Sequence, residues 1–206
     1  MWYFSTYLCH HGIKGQKWGV RRYQNYDRTR TEEGKIRYRT GPLFISGSSK
    51  TTEEGGKYQR KKLPKAVRKE IDKAIRSKQK IVVGDAPGID RQVQDYLKSK
   101  DYNYVEVYGP GKQVRYSANS KWKTNAIDAP EFEEFTKEWL AKKDIAMSEV
   151  SEHGLAIILD EGSSATRRNI DRLIEQNKDV KVYQLSGNGP KYDKWVDYFK
   201  LKGGEL

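Results

Sequence analysis

Three times in this chain a short apolar run ends in a loop of small residues, and a helical pattern follows. The junctions are Leu43-Phe-Ile-Ser-Gly-Ser-Ser49, Ile81-Val-Val-Gly-Asp-Ala-Pro-Gly-Ile-Asp90 and Leu155-Ala-Ile-Ile-Leu-Asp-Glu-Gly-Ser-Ser-Ala-Thr-Arg-Arg-Asn-Ile170. Short apolar strands alternating with helices build parallel βαβ units, and a parallel sheet needs helices on both faces to bury it. The expected fold is therefore α/β, a Rossmann-like, mostly parallel sheet covered on both sides. In such sheets ligands lie beyond the carboxyl ends of the strands, where the strand order reverses. All three loops follow strands, so one crevice is able to hold all three.

The rest of the pattern fills in around these junctions. Leu63, Val67, Ile71, Ala74 and Ile75 recur at helical spacing, with Pro64 suited to a first turn and Lys65, Arg68, Lys69, Lys73 and Arg76 on the opposite face. That basic face reads as solvated or as a polyanion-docking surface. Ile89, Val93, Tyr96 and Leu97 mark the next helix, and Tyr104-Val-Glu-Val-Tyr108 alternates as a strand. Residues 109–130 read as an irregular loop turned at Gly109-Pro-Gly-Lys112 and carrying Arg115, Asn119, Lys121, Trp122 and Asn125. A loop of that length in a compact domain points to function. Phe132, Phe135, Trp139, Ala146 and Val150 suit a long helix, and Val180–Leu185 a last strand. Tyr192, Trp195, Val196 and Phe199 at i, i+3, i+4 and i+7 suggest a terminal amphipathic helix over residues 187–206.

Residues 1–40 behave differently. Glycines alternate there with basic and aromatic residues without a sustained period, which reads as an extended arm. The arm holds nine Lys and Arg residues against three acids, half of the chain's formal net charge of +12. A polyanion or virion contact is thus expected of the arm more than of the domain at residues 41–186. Met1–Leu8 is aromatic but has no basic leader, so no secretory signal is expected. No apolar run suits a membrane span, and no membrane partner is expected. Cys9 is the lone cysteine, which excludes an internal disulfide framework and fits a reducing, cytoplasmic compartment. Cys9, His10 and His11 are contiguous donors without a distant partner set, so neither a metal nor a cofactor is expected.

Within the expected crevice each candidate has two readings. Ser46, Gly47 and Ser48 either let backbone approach a ligand or make a tight turn. Gly84, Asp85, Gly88 and Asp90 line the second loop, where Asp90 either caps a helix or accepts a ribose hydroxyl pair. Lys143 and Asp144 are consecutive, so only one of them is expected to face the crevice readily. Asp160 and Glu161 end the third strand, and with Asp144 they are the candidate acids and nucleophiles of any chemistry; Asp144 and Glu161 are the leading pair. The loop Gly162, Ser163, Ser164, Ala165, Thr166 presents backbone N–H groups and a positive helix end, the usual construction for a phosphate. His153, just before a strand, reads as structural.

Taken together, Phe-Ile-Ser-Gly-Ser, Val-Val-Gly-Asp-Ala-Pro-Gly-Ile-Asp, Lys-Lys-Asp-Ile-Ala-Met and Gly-Ser-Ser-Ala-Thr-Arg-Arg-Asn-Ile resemble the SLOG superfamily over roughly residues 41–186. These are Rossmann-like nucleotide-binding domains related to the LOG nucleotide phosphoribohydrolases and the DNA-processing A proteins. The resemblance implies a nucleotide or ADP-ribose-like ligand and, by analogy with paired members, a homodimer. LOG enzymes carry Gly-Gly-x-Gly-Thr-x-x-Glu, and laying that motif here puts Gly162, Ser163 and Ala165 on the glycines and Thr166 on the threonine. Asn169 then replaces the glutamate, and an amide cannot exchange a proton as a carboxylate does. The resemblance thus keeps part of the phosphate grip and loses the cutting acid. His10 to Asn25 is similar to a segment recurring in tailed-phage proteins, which implies a phage or prophage product acting in a bacterial cytoplasm. Three functions compete on these grounds: a nucleotide-binding sensor or sequestering protein, a nucleotide N-glycosidase of altered mechanism, and a virion-associated or DNA-binding accessory protein.

Overall fold

A computed structural model describes residue 31 and residues 41–49, 62–159 and 163–198. The expected arm falls almost wholly outside them, as do Cys9, His10, His11, Asp160, Glu161 and Gly162.

The sheet is built from β1 (Leu43–Gly47), β2 (Ile81–Gly84), β3 (Val105–Pro110), β4 (Lys123–Ile127), β5 (His153–Leu159), β6 (Asp179–Leu185) and β7 (Lys194–Val196). Their spatial order is β4-β3-β2-β1-β5-β6-β7, parallel throughout except for the antiparallel β6–β7 edge. Among the described residues four helices cover it: α1 (Lys65–Arg76), α2 (Ile89–Ser99), α3 (Lys137–Val150) and α4 (Ser164–Glu175). The fold is the expected α/β sheet with both faces covered.

Strand periodicity divides the core into two layers. Leu43, Ile45, Ile81, Val83, Leu155 and Ile157 point to one face and meet Val67 and Ile71 of α1 and Val93 and Leu97 of α2. Phe44 and Val82 point to the other, where Met147 of α3 and Leu173 of α4 cover them. Ala156 and Ile158 share that second face with Ile170 and Val182. The chain runs outward from β1 through β2 and β3 to β4, then returns to place β5 on the other side of β1. The reversal puts a crevice at the carboxyl ends of β1 and β5.

Three expected elements differ from what forms. The stretch 109–130 contains β4, which pairs with β3 from Glu106↔Lys123 to Pro110↔Ile127. Gly109 and Pro110 belong to β3, so the chain turns at Gly111, whose φ is +83°. The segment between the strands is anchored from within: Trp122 is buried and its Nε1–H donates to Tyr102 O at 2.9 Å. Buried Gln94 completes the anchor, donating to Gly84 O at 2.8 Å and accepting from Ala118 N at 2.9 Å.

The helix expected from Phe132 starts only at Lys137, with Thr136 as N-cap accepting from Trp139 N at 3.3 Å. Phe135 precedes it at φ +67°, a left-handed conformation that no continuous helix contains. Pro64 likewise sits at the N-cap of α1 and not inside its first turn. The expected terminal helix is corrected more fully. Pro190–Tyr192 forms a single 3₁₀ turn, and Lys194–Val196 extends as β7 along β6. Trp195 packs edge-on against Tyr183 across that pair, with ring centroids 4.8 Å apart. The cross-strand aromatic contact and the open edge of β6 outweigh the helical spacing, and Phe199 lies outside the described residues. Among the described residues no helix is long and apolar enough to cross a membrane.

Candidate functional site

A crevice of about 590 Å³ opens where the chain reverses, between the end of β1, the start of α4 and one side of α3. Ser46, Gly47, Ser48 and Ser49 enter it from β1, and Ala86, Pro87 and Asp90 from the β2–α2 junction. Gly47 is required by packing. A Cβ there would sit 2.2 Å from Cγ2 of buried Ile89, so α2 is able to start close against β1 only because no side chain intervenes. Backbone bonds hold the turn: Ser48 N donates to Ile157 O at 3.2 Å, and Ile89 N to Ser48 O at 3.0 Å.

The second wall is α3. Leu140, Lys143, Asp144 and Met147 all line the crevice, at the i, i+3, i+4, i+7 spacing that shares one helix face. The expectation that Lys143 and Asp144 would compete for that face is therefore corrected. They flank the centre of a single stripe, and Lys143 Nζ donates to Asp144 Oδ1 at 2.6 Å. Both side chains are buried. Burial pulls the Lys143 pKa down, but Asp144, Asp90 and Asp85 outweigh it and hold the ammonium above its usual range.

Asp90 does not serve as the N-cap of α2; Gly88 occupies that position with φ +83°. Asp90 is 6% exposed and lines the crevice. Burial, reinforced by Asp144 and Asp85, pushes its pKa up to about 7 against the opposing pull of Lys143 and the Ala86 N–H. Gly84 does not line the crevice but makes room beneath it. A Cβ on Gly84 would lie 2.4 Å from Asp90 Oδ2 and 3.1 Å from Lys143 Nζ, so the two head groups meet over a bare backbone.

Asp85 is also behind the lining. Its buried carboxylate accepts from Arg115 N and Nε, each at 2.9 Å, and from Arg115 Nη2. That fork raises the Arg115 pKa, and Arg115 itself reaches the crevice wall. Asp85 thus positions a cation on the crevice wall without lining the crevice itself.

The third wall is the start of α4. Ser163 takes φ +56°, ψ +34° and turns its Oγ back to accept from Leu159 N at 3.0 Å. It gives α4 no side-chain cap, so the first-turn N–H groups face the crevice without one. Ser164, Ala165 and Thr166 line this wall. Thr166 is 2% exposed, and no described residue hydrogen-bonds its hydroxyl. Asn169, where the LOG-type motif would have its acid, is hydrogen-bonded at both ends of its amide: Nδ2 donates to Ser46 Oγ at 3.0 Å, and Oδ1 accepts from Arg172 Nη1 at 2.8 Å. It tethers the end of β1 to α4.

Of the residues expected from sequence, Ser46, Gly47, Ser48, Asp90, Lys143, Asp144, Ser163, Ser164 and Thr166 come together on this one crevice. Gly84 and Asp85 support it from below. Glu161 and Gly162 lie outside the described residues. Arg115 was legible only as part of a suspiciously long loop, while Phe44, Leu140 and Met147 read as ordinary core. His153 begins β5, at the opposite end of the strand from the crevice. Among the described residues no group of His, Cys, Asp and Glu could hold a metal ion. Comparison of the chain with protein-family models, curated proteins and solved structures found no match.

Proposed function

We propose that the crevice binds a nucleotide or ADP-ribose-like ligand, with a phosphate seated on the first turn of α4. One observation carries this reading: the ends of β1, β2 and β5 converge on a crevice lined by Thr166 and by the start of a helix whose N-cap, Ser163, gives it no side-chain cap. Helix N–H groups and a hydroxyl donate to phosphate oxygens, and the helix dipole favours the negative charge. Lys143 and Arg115 add cations on the facing walls. Phe44, Leu140 and Met147 supply apolar surface suited to a base or ribose.

The SLOG-like order of the motifs supports the same reading, and Asn169 favours holding over cutting. With the phage-like segment at residues 10–25, the proposed role is sensing or sequestering a host nucleotide signal. The test is mass spectrometry of small molecules released from the full chain after incubation in a nucleotide-rich lysate. An intact phosphorylated nucleoside is expected. Recovery of a free base and a ribose phosphate would replace binding with hydrolysis.

A second reading, nucleotide N-glycosidase, is favoured by the ion-paired Asp144 carboxylate facing the crevice. Under it, base release is lost in Asp144→Asn or Glu161→Gln while ligand binding survives.

A further inference from the structure

In and just behind the crevice wall three carboxylates, Asp85, Asp90 and Asp144, stand beside two cations, Arg115 and Lys143. Asp85 is matched with Arg115 through a two-pronged fork. Asp144 is matched with Lys143 at 2.6 Å. Asp90 is left over: it is 6% exposed, it lines the crevice, and among the described residues no side chain donates a hydrogen bond to it. Its one hydrogen-bonding neighbour is the backbone N–H of Ala86. A buried carboxylate with no cation hydrogen-bonded to it is costly, and the group relieves that cost by taking up a proton.

We propose that Asp90 is the proton-carrying residue of the crevice, a carboxylic acid that donates to an anionic oxygen of the bound ligand, so that binding takes up one proton from solvent. The inference rests on the anionic-ligand reading above and adds to it the residue that reads the ligand's charge.

Lys143 draws the Asp90 carboxyl toward its charged form, and burial together with Asp85 and Asp144 outweighs that pull. Asp85 from the end of β2 and Asp144 from α3 repel a second negative charge, while Lys143 from α3 and Arg115 from the β3–β4 connection are each hydrogen-bonded elsewhere. The ligand-free carboxyl already titrates at about 7. An anion entering the same space raises that midpoint further, and a raised midpoint in the complex is by linkage proton uptake on binding. Below the ligand-free midpoint Asp90 carries its proton already and affinity is independent of pH. Above it each bound ligand must bring a proton, and affinity falls by up to about tenfold per pH unit. A neutral carboxylic acid also selects among ligands: it donates to phosphate or carboxylate oxygens, whereas an ionised Asp90 would favour hydroxyls or cations.

The experiment is calorimetric titration of the full chain with ADP-ribose in buffers of different ionisation enthalpy, at about pH 5.5, 7.5 and 8.5. Uptake approaching one proton is expected at the two higher values and none at the lowest. Asp90→Asn should abolish the uptake and flatten the affinity profile. Release or absence of protons in the native chain, or uptake that persists in Asp90→Asn, overturns the proposal. A carboxyl-carbon NMR titration of the ligand-free chain does not depend on the variant's folding: a midpoint for Asp90 below about 5 overturns the proposal whatever binds. If the midpoint stands near 7 but ADP-ribose fails to bind, the nucleotide reading falls alone. The proton count is then taken with inorganic phosphate and pyrophosphate, and no uptake with either overturns the proposal too.

Discussion

The two long walls of the crevice are built on different physics. Among the described residues, the α4 wall brings no ionisable side chain to the crevice lining. Ser163, Ser164, Ala165 and Thr166 offer backbone N–H groups, a dipole and a hydroxyl, all insensitive to pH near neutrality. The α3 wall and Asp90 opposite it hold buried charge: Lys143, Asp144 and a carboxyl that titrates at about 7. One wall is fixed by backbone geometry, and the other is set by a balance of protons. A ligand spanning both would be gripped constantly at one end and conditionally at the other.

The largest effect is expected from breaking the charged wall. Lys143→Met leaves Asp144 buried without its cation and Asp90 without a neighbouring one. Stability should fall by about 3–5 kcal/mol at pH 8 by urea unfolding. The raised Asp90 pKa sets the sign of the pH dependence. Its contribution is fully present below the ordinary carboxylate range and is lost as pH rises through about 7. The deficit of Lys143→Met should therefore shrink between pH 8 and pH 5. A deficit that is flat with pH would mean that the lysine acts by packing alone.

Gly88→Ala attacks the loop that joins the walls. Gly88 sits at φ +83°, and a Cβ there would lie 2.4 Å from Ser49 O and 2.6 Å from Ser48 O, both fixed backbone. Strain and collision together should cost about 3 kcal/mol, read as a lowered unfolding midpoint at every pH. Such pH independence would separate it from the lysine variant.

On the neutral wall, Thr166→Val conserves volume and removes only a hydroxyl that no described residue uses. ADP-ribose affinity should drop about tenfold, roughly 1.4 kcal/mol, with thermal stability unchanged. Loss of stability without loss of affinity would reassign the hydroxyl to the fold. The smallest change is expected for Ser163→Gly. Glycine relieves the left-handed backbone at φ +56° but forfeits the Oγ that accepts from Leu159 N. The two should cancel to within about 0.5 kcal/mol in urea unfolding.

The two walls were not equally legible in the sequence. The α4 wall reads directly, because Leu155–Leu159 is an uninterrupted buried strand and the small residues after it have no other obvious use. The α3 wall reads less well. Whether Lys143 and Asp144 share a face depends on where the helix begins, and Phe132 and Phe135 suggested a start one to two turns too early. The cue that marks the true start, Thr136 three residues before Trp139, is a weak capping signal beside two aromatics.

β4 carried almost no signal. Lys123-Thr-Asn-Ala-Ile127 lies at the sheet edge with its side chains largely exposed, so nothing in it demands burial. Its place is fixed by backbone pairing to β3 and by Trp122 just before it. Arg115 was hidden for a related reason: its role depends on Asp85, thirty positions away in sequence. The terminal Tyr192–Val196 stretch shows the converse failure, in which a helical spacing arises by coincidence while an unpaired edge of β6 captures the chain.

The pairing of β1 with β5 has a consequence in time. Leu43 lies beside His153 and Gly47 beside Ile157, so the crevice joins segments from opposite ends of the domain. During synthesis β1 and β2 emerge together and can pair early, but the seat on α4 does not exist until β5 has arrived and closed the other side of β1. Contacts of such long range form slowly. The crevice is therefore a late property of the nascent chain, and whatever it binds should be bound only as the domain completes its fold.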